Sequence, residues 1–202
     1  MPPITAEDPA GSGSADRRVL RKVLLERRLA LPAAEWEWRS NRVRTHLQDG
    51  FPQFAAMRVG FCWPLNKEVD LRPLIEKWAG EGKTGFSALL PVVIDEDRAL
   101  RFRAWGSDTA MVNDRYGIPT PASGSFVIPE ALLVPVNGFD AAGYRLGYGG
   151  GYFDRTLALL SPRPLVVGVG FELARLDSIC PQPHDQALDL MVTEDGIFRS
   201  AR

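Results

Sequence analysis

Four of the five residues 147–151 are glycine, in the run Arg145-Leu146-Gly147-Tyr148-Gly149-Gly150-Gly151-Tyr152-Phe153-Asp154-Arg155. Without a Cβ, main-chain N–H groups can lie directly against a ligand, and φ > 0 carries no steric cost. A helix opening at Gly151 or Tyr152 adds unpaired N–H groups and the positive end of its dipole. Such a segment suits a phosphate. Arg145 and Arg155 bring positive charge, the first with a fork suited to bidentate contact. Asp154 lies outside the arc shared by Tyr152, Thr156, Leu157 and Leu160, which leaves it for a ligand or a metal. An aspartate in a first helical turn also complements the dipole with no further role. No Gly-Lys-Ser/Thr follows, and Tyr152 stands where a dinucleotide fingerprint needs its third glycine, so neither common nucleotide motif is present.

The elements that must position this loop follow from the apolar pattern. From Asp16 to about Leu31 the periodicity is helical, with Val19, Leu20, Val23 and Leu24 read as the apolar arc and Arg17, Arg21 and Arg28 as an opposite, solvated stripe. A second helix starts after Pro32, with Trp36, Val43 and Leu47 as its stripe, and ends near Gly50. Strands are expected over 57–62, 85–93, 99–105, 131–136 and 165–171, helices over 71–79 and 151–160, and a last strand over 187–193 with Phe198 closing. Residues 106–124 read as a long irregular connection. Apolar strands alternating with helices imply an α/β fold with a mostly parallel sheet covered on both faces, whose ligands bind beyond the carboxyl ends of the strands. Asp189 is an acid within an apolar strand, where an unpaired carboxylate is costly, so it needs a partner.

Composition narrows the function classes. The 202 residues are 45% hydrophobic, enough for a sizeable core, and carry a net charge of −1, which provides no global field for nucleic acid. No apolar run is long enough to span a bilayer. The two cysteines, Cys62 and Cys180, form no C-x-x-C pair, and the two histidines, His46 and His184, are too separated for a histidine metal site. The expectation is a cytoplasmic monomer with a loose tail over 1–15 and one domain over 16–202.

The segment from Arg145 to Asp154 resembles the Arg-Leu-Gly-x-Gly-x-Gly-Tyr-Tyr/Phe-Asp signature of the 5-formyltetrahydrofolate cyclo-ligase family, also called methenyltetrahydrofolate synthetase. Pro64 to Asp70 is similar to the family's Pro-x-x-x-Glu-Val-Asp segment, and Arg17 to Arg21 to its basic first helix, where lysine is more usual at the first position. Gly117-Ile118-Pro119, His184-Asp185 and Val192-Thr193-Glu194 fit as well.

The resemblance implies a Rossmann-like three-layer sandwich and an ATP- and magnesium-dependent conversion of 5-formyltetrahydrofolate to 5,10-methenyltetrahydrofolate. An N-formyl oxygen leaves poorly, so ATP would convert it to a phosphate ester, and the protein would supply positioning and charge. Carried over residue by residue, ATP would be held by Arg17, Arg21, Arg145, Leu146, Gly147, Tyr148, Gly149, Gly150, Gly151, Tyr152 and Phe153. The folate would be held by Trp63, Glu68 and Tyr152, and magnesium by Asp154 with Asp189. Arg145, Asp154 and Tyr152 are the expected catalytic residues. Asn66-Lys67 departs from the family's pattern before Glu68, and together with Asn137-Gly138 it keeps a non-catalytic reading open. Two alternatives stay open: a non-catalytic relative that binds nucleotide or folate, and an ATP-dependent enzyme acting on another small N-acyl substrate.

Overall fold

The structure is a computed structural model, and it describes residues 13–96 and 98–200. In chain order the elements are α1 (Gly13–Leu29), α2 (Ala33–Gly50), β1 (Arg58–Gly60), α3 (Arg72–Gly80), β2 (Ser87–Val92), β3 (Arg101–Trp105), β4 (Met111–Asn113) and β5 (Pro119–Pro121). They continue with β6 (Ala131–Pro135), β7 (Gly138–Phe139), β8 (Arg145–Leu146), α4 (Tyr152–Leu159), β9 (Leu165–Val169), β10 (Leu190–Thr193) and β11 (Gly196–Arg199). α1 starts at Gly13, inside the stretch expected to be a tail; residues 1–12 lie outside the described residues.

Seven strands form one sheet in the order β11-β10-β9-β6-β1-β2-β3. Its five central strands run parallel, and β3 and β11 close the two edges antiparallel. Alternate residues of the apolar strands feed two cores. Ala131, Leu133, Val167, Val169, Leu190 and Val192 pack with Val43 and Leu47 of α2 and with Leu74, Ile75 and Trp78 of α3. Leu132, Val134, Val166 and Met191 pack on the other face with Leu157 of α4. Both faces are therefore buried, which is why these strands show no polar alternation. The expected three-layer α/β architecture is present. No helix among the described residues is long and apolar enough to cross a membrane.

Three expectations need correction. Arg17 and Arg28 are 6% and 4% exposed, whereas Val19 is 60% exposed, so α1 docks by its arginine stripe. At 100° per residue Leu24, 1% exposed, falls among those arginines and not opposite them, and it anchors the docked face. The connection 106–124 is not irregular: β4 and β5 pair as a hairpin, and the Asp114 carboxylate accepts the N–H groups of Tyr116 and Ile118 at its turn. Asp189 precedes β10 and lies outside the strand.

Trp78 is the largest fully buried side chain, edge-on to Phe54 at 6.0 Å and to Phe86 at 6.3 Å. Trp78→Ala should lower unfolding free energy by about 3–5 kcal/mol, measured by urea denaturation; a loss below about 1 kcal/mol would show that α3 does not carry this core.

Candidate active site

Among the parallel strands the order is β2-β1-β6-β9-β10, so the connections leaving β1 and β6 depart toward opposite sides of the sheet. A crevice opens beyond their carboxyl ends. The segment after β1 carries Trp63 and Glu68 to this place, and the segment after β6 leads through Asn137 and the β7–β8 hairpin into the glycine loop.

Glu68 is 5% exposed. Its Oε2 accepts the Leu65 N–H at 3.0 Å, and its Oε1 accepts the Tyr148 hydroxyl at 2.7 Å. The Tyr148 oxygen in turn accepts from Arg28 Nη2 at 2.6 Å, and Arg28 Nε donates to the Asn66 carbonyl at 2.9 Å. Burial pushes the Glu68 carboxyl above its ordinary value, opposed by the Leu65 N–H, the Tyr148 hydroxyl and the Arg28 charge. Asn66 and Lys67 both have positive φ, 48° and 55°, and this left-handed step turns Glu68 inward. Lys67 Nζ meanwhile donates to the carbonyls of Leu29 and Leu31 at the end of α1. The departure at Asn66-Lys67 thus has a structural role. Trp63 lies edge-on to Trp105 at 6.2 Å and under the Arg72 guanidinium at 4.8 Å.

In the glycine loop, Gly149 has φ +100° and Gly151, which precedes α4, has φ +64°. A Cβ at Gly151 would fall 2.8 Å from Arg155 Nη1. Among the described residues, the N–H groups of Gly149, Gly150 and Gly151 find no acceptor. They line a cleft of about 510 Å³ together with Asp154, Arg155, His184 and Gln186. Arg155 donates to the Gly150 carbonyl at 2.8 Å and to the Glu96 carbonyl at 2.9 Å. Arg21 Nε donates to the Gly147 carbonyl at 3.1 Å; burial lowers its pKa, as does neighbouring Arg17, while Asp185 raises it. Two cations therefore flank the free amides.

Arg145 sits elsewhere than expected. Its side chain is 4% exposed and is absent from the cleft lining. It donates to Asp154 Oδ1 at 2.8 Å and to the Gln186 carbonyl, and the Gln186 N–H closes on the same Oδ1 at 2.9 Å. Burial lowers the Arg145 pKa against the opposing pull of Asp154. Arg17 is likewise held from below, by Asp185 at 2.6 and 3.2 Å. The Leu146 side chain is fully buried against Leu24, and Phe153, in the first turn of α4, is half-buried against the core. The structure does not bring Asp189 to Asp154. Both Asp189 oxygens meet Arg163 Nη1, at 2.9 and 3.1 Å, and Oδ2 also accepts the Val166 N–H. No cluster of three or more His, Cys, Asp or Glu side chains suited to a metal occurs among the described residues.

Tyr152 meets a residue the sequence reading missed. Its hydroxyl lies 2.7 Å from that of Tyr116, presented by the β4–β5 turn, and this contact first, with burial, pushes the Tyr152 pKa up to about 12. Arg28 was missed as a site residue because its stripe read as solvated. The Asx turn at Asp114 was the one sequence signal that could have found Tyr116.

Comparison with known proteins fits this geometry. Residues 13–194 match the sequence profile of the 5-formyltetrahydrofolate cyclo-ligase family. The chain belongs to that family. It is 29% identical over 182 residues to the 5-formyltetrahydrofolate cyclo-ligase of Mycolicibacterium smegmatis, covering 86% of this chain and 91% of that one. It is 30% identical over 141 residues to the cyclo-ligase of Escherichia coli K12, covering 67% and 76%. The solved structure of the Aquifex aeolicus 5,10-methenyltetrahydrofolate synthetase superposes with a TM-score of 0.79 at 29% identity, covering 92% of this chain and 93% of that one. Members of the cyclo-ligase family are ligases, and this chain is an enzyme of that class.

The Glu68 environment gives a pH test. With its folded pKa raised above 4.5, the native state holds the proton more tightly than the unfolded chain. The stability this confers is whole below the ordinary value and is lost as pH rises through the raised one. Glutamine does not titrate, so the stability of Glu68→Gln minus that of the unchanged protein should grow as pH rises from about 4.5, read by urea unfolding. A pH-independent difference contradicts the buried carboxyl.

Proposed function

We propose that this chain catalyses the ATP- and magnesium-dependent closure of 5-formyltetrahydrofolate to 5,10-methenyltetrahydrofolate, with release of ADP and phosphate. The observation that carries the reading is the single loop joining two subsites. Gly149, Gly150 and Gly151 offer unpaired amides to a cleft, while Tyr148, next in sequence, is bonded to buried Glu68.

The triphosphate would lie on the amides of Gly147 to Gly151, with Arg21 and Arg155 neutralising its charge. Arg17 and Arg145 support from beneath: Arg17 fixes the 180–185 turn, and Arg145 orients Asp154. Leu146 holds one end of the loop in the core and would contribute main-chain groups only, while half-buried Phe153 packs the other end against the core. Glu68 would take donors of the pterin ring on the acceptor sites left beside the Leu65 N–H and the Tyr148 hydroxyl, with Trp63 and Tyr152 as apolar walls.

Asp154 would hold the magnesium: its Oδ1 takes both protein hydrogen bonds, which leaves Oδ2 for a hard cation. The ion supplies neutralisation of charge on the transferring phosphoryl group. For Asp189 to join it, the Arg163 pair would have to open. The formyl oxygen attacks the terminal phosphorus as the bond to ADP breaks. N10 then attacks the formyl carbon, gives up its proton, and phosphate departs with the C–O electrons. The loop's part is to hold the terminal phosphorus in line with that oxygen. The unpaired thiols Cys62 and Cys180 suit a cytoplasmic enzyme, which we read as a monomer.

Purified protein mixed with 5-formyltetrahydrofolate, ATP and magnesium should develop the near-ultraviolet absorbance of the methenyl product. No ATP-dependent signal overturns the proposal. Asp154→Asn should cut kcat by about 10²–10³-fold and raise the magnesium concentration needed for half-maximal rate, with the near-ultraviolet circular dichroism retained. An unchanged magnesium requirement removes Asp154 from the metal site.

A further inference from the structure

Beside Glu68 lies a second polar group that nothing in the folded chain uses. Asn137 is the second residue beyond the end of β6 and is 3% exposed. Its main-chain N–H is tied to the Leu146 carbonyl at 2.8 Å, so the position of its Cα is set by the hairpin that leads into the glycine loop. Its side-chain Oδ1 is buried and has no hydrogen-bond partner among the described residues. Most of what surrounds it is apolar: Val136, Val169 and Phe171 share its cavity. A leucine there would be buried without loss, whereas an amide oxygen removed from water with no donor is a standing penalty. Such a group calls for a partner that arrives with something else.

The cavity names the size of that partner. Asn137, Arg28 and Glu68 line the same narrow, partly open space of about 10 Å³, which is the room one water-sized group occupies. A ring cannot enter it, but an amino substituent can. Glu68 carries one protein donor on each oxygen and can accept more, since an ionised carboxylate has about four acceptor sites. Arg28 presents only donors, and among the described residues no other buried, unpartnered side-chain acceptor lines this space.

We propose that Asn137 is a specificity-determining residue of this site: an exocyclic amino group on the bound nitrogen heterocycle seats between Glu68 and Asn137, giving one hydrogen to the carboxylate and the other to Asn137 Oδ1. The inference rests on the folate reading above and extends it. The amide accepts what Glu68 alone leaves unread, so a heterocycle without the amino group leaves both acceptors buried and unpaired. Seating the group also explains why a polar side chain occupies a position where the neighbouring strand residues are apolar.

The test pairs a protein change with a ligand change. Binding of 5-formyltetrahydrofolate, and of its analogue with methyl in place of the 2-amino group, is measured calorimetrically on the unchanged protein, on Asn137→Leu and on Asn137→Ala. The unchanged protein should favour the amino ligand. Either variant should weaken binding of the amino ligand by about tenfold, leave the methyl analogue within about twofold, and leave ATP binding as it was. Using two variants guards against one that packs badly, since a folded Asn137→Ala protein still lacks the acceptor. Equal weakening of both ligands, or no weakening of either, overturns the role of Asn137 while leaving the folate reading intact. If the unchanged protein binds ATP but no 5-formyltetrahydrofolate, both fall together.

Discussion

A guanidinium cannot be buried bare, and among the described residues three arginines are buried: Arg17, Arg28 and Arg145. Each must find oxygens, and the oxygens lie on segments far away in sequence. Arg17 reaches Asp185 and the Cys180 carbonyl, Arg28 reaches Asn66, Val136 and Tyr148, and Arg145 reaches Asp154 and Gln186. Satisfying these cations draws α1, the Glu68 loop, the glycine loop and the 180–186 turn around one crevice. The sheet supplies the platform, but the arginines decide which loops meet on it. Breaking one such pair by truncation strands the other charge, a loss of about 3–5 kcal/mol, so the crevice and the stability of its walls are the same property.

Much of this was legible in the residues. The parallel strands announced themselves because both faces are buried, as at 131–134, where every side chain is apolar. The glycine run was legible as bare, unusually turned backbone, and φ values of +100° and +64° at Gly149 and Gly151 need that residue type. What stayed hidden was long-range. The arginine stripe of α1 has the pattern of a wet face, and only the carbonyls it meets across the fold make it a docking surface. The β4–β5 hairpin has three-residue strands and prolines at both ends of β5, too little for periodicity to reveal. Arg145 and Asp154 were each read as open to a ligand, and their mutual neutralisation depended on α4 bringing them to 2.8 Å. Asp189 was expected to need a partner, and the partner is Arg163.

The loop has a division of labour that follows from side-chain placement. Leu146 at one end is sunk in the core and Phe153 at the other is half-buried against it; the middle shows bare backbone to the cleft; and Tyr148 reaches across to Glu68. A ligand that uses Glu68 would share the carboxylate with that tyrosine, and the tyrosine's own amide belongs to the segment that would grip the triphosphate. The two subsites are thus mechanically continuous, which suits a reaction in which a phosphoryl group passes from one ligand to the other.

The most direct measurement is amide NMR of the ¹⁵N-labelled protein titrated with a non-hydrolysable ATP analogue and magnesium. The resonances of Gly149, Gly150 and Gly151 should shift together along one binding curve, while Gly82, in the turn that leads to the amino end of β2, at the opposite end of the strands from the crevice, stays in place. A saturating nucleotide that leaves those three amides unmoved, and shifts another surface instead, contradicts the central claim that this loop holds the phosphates.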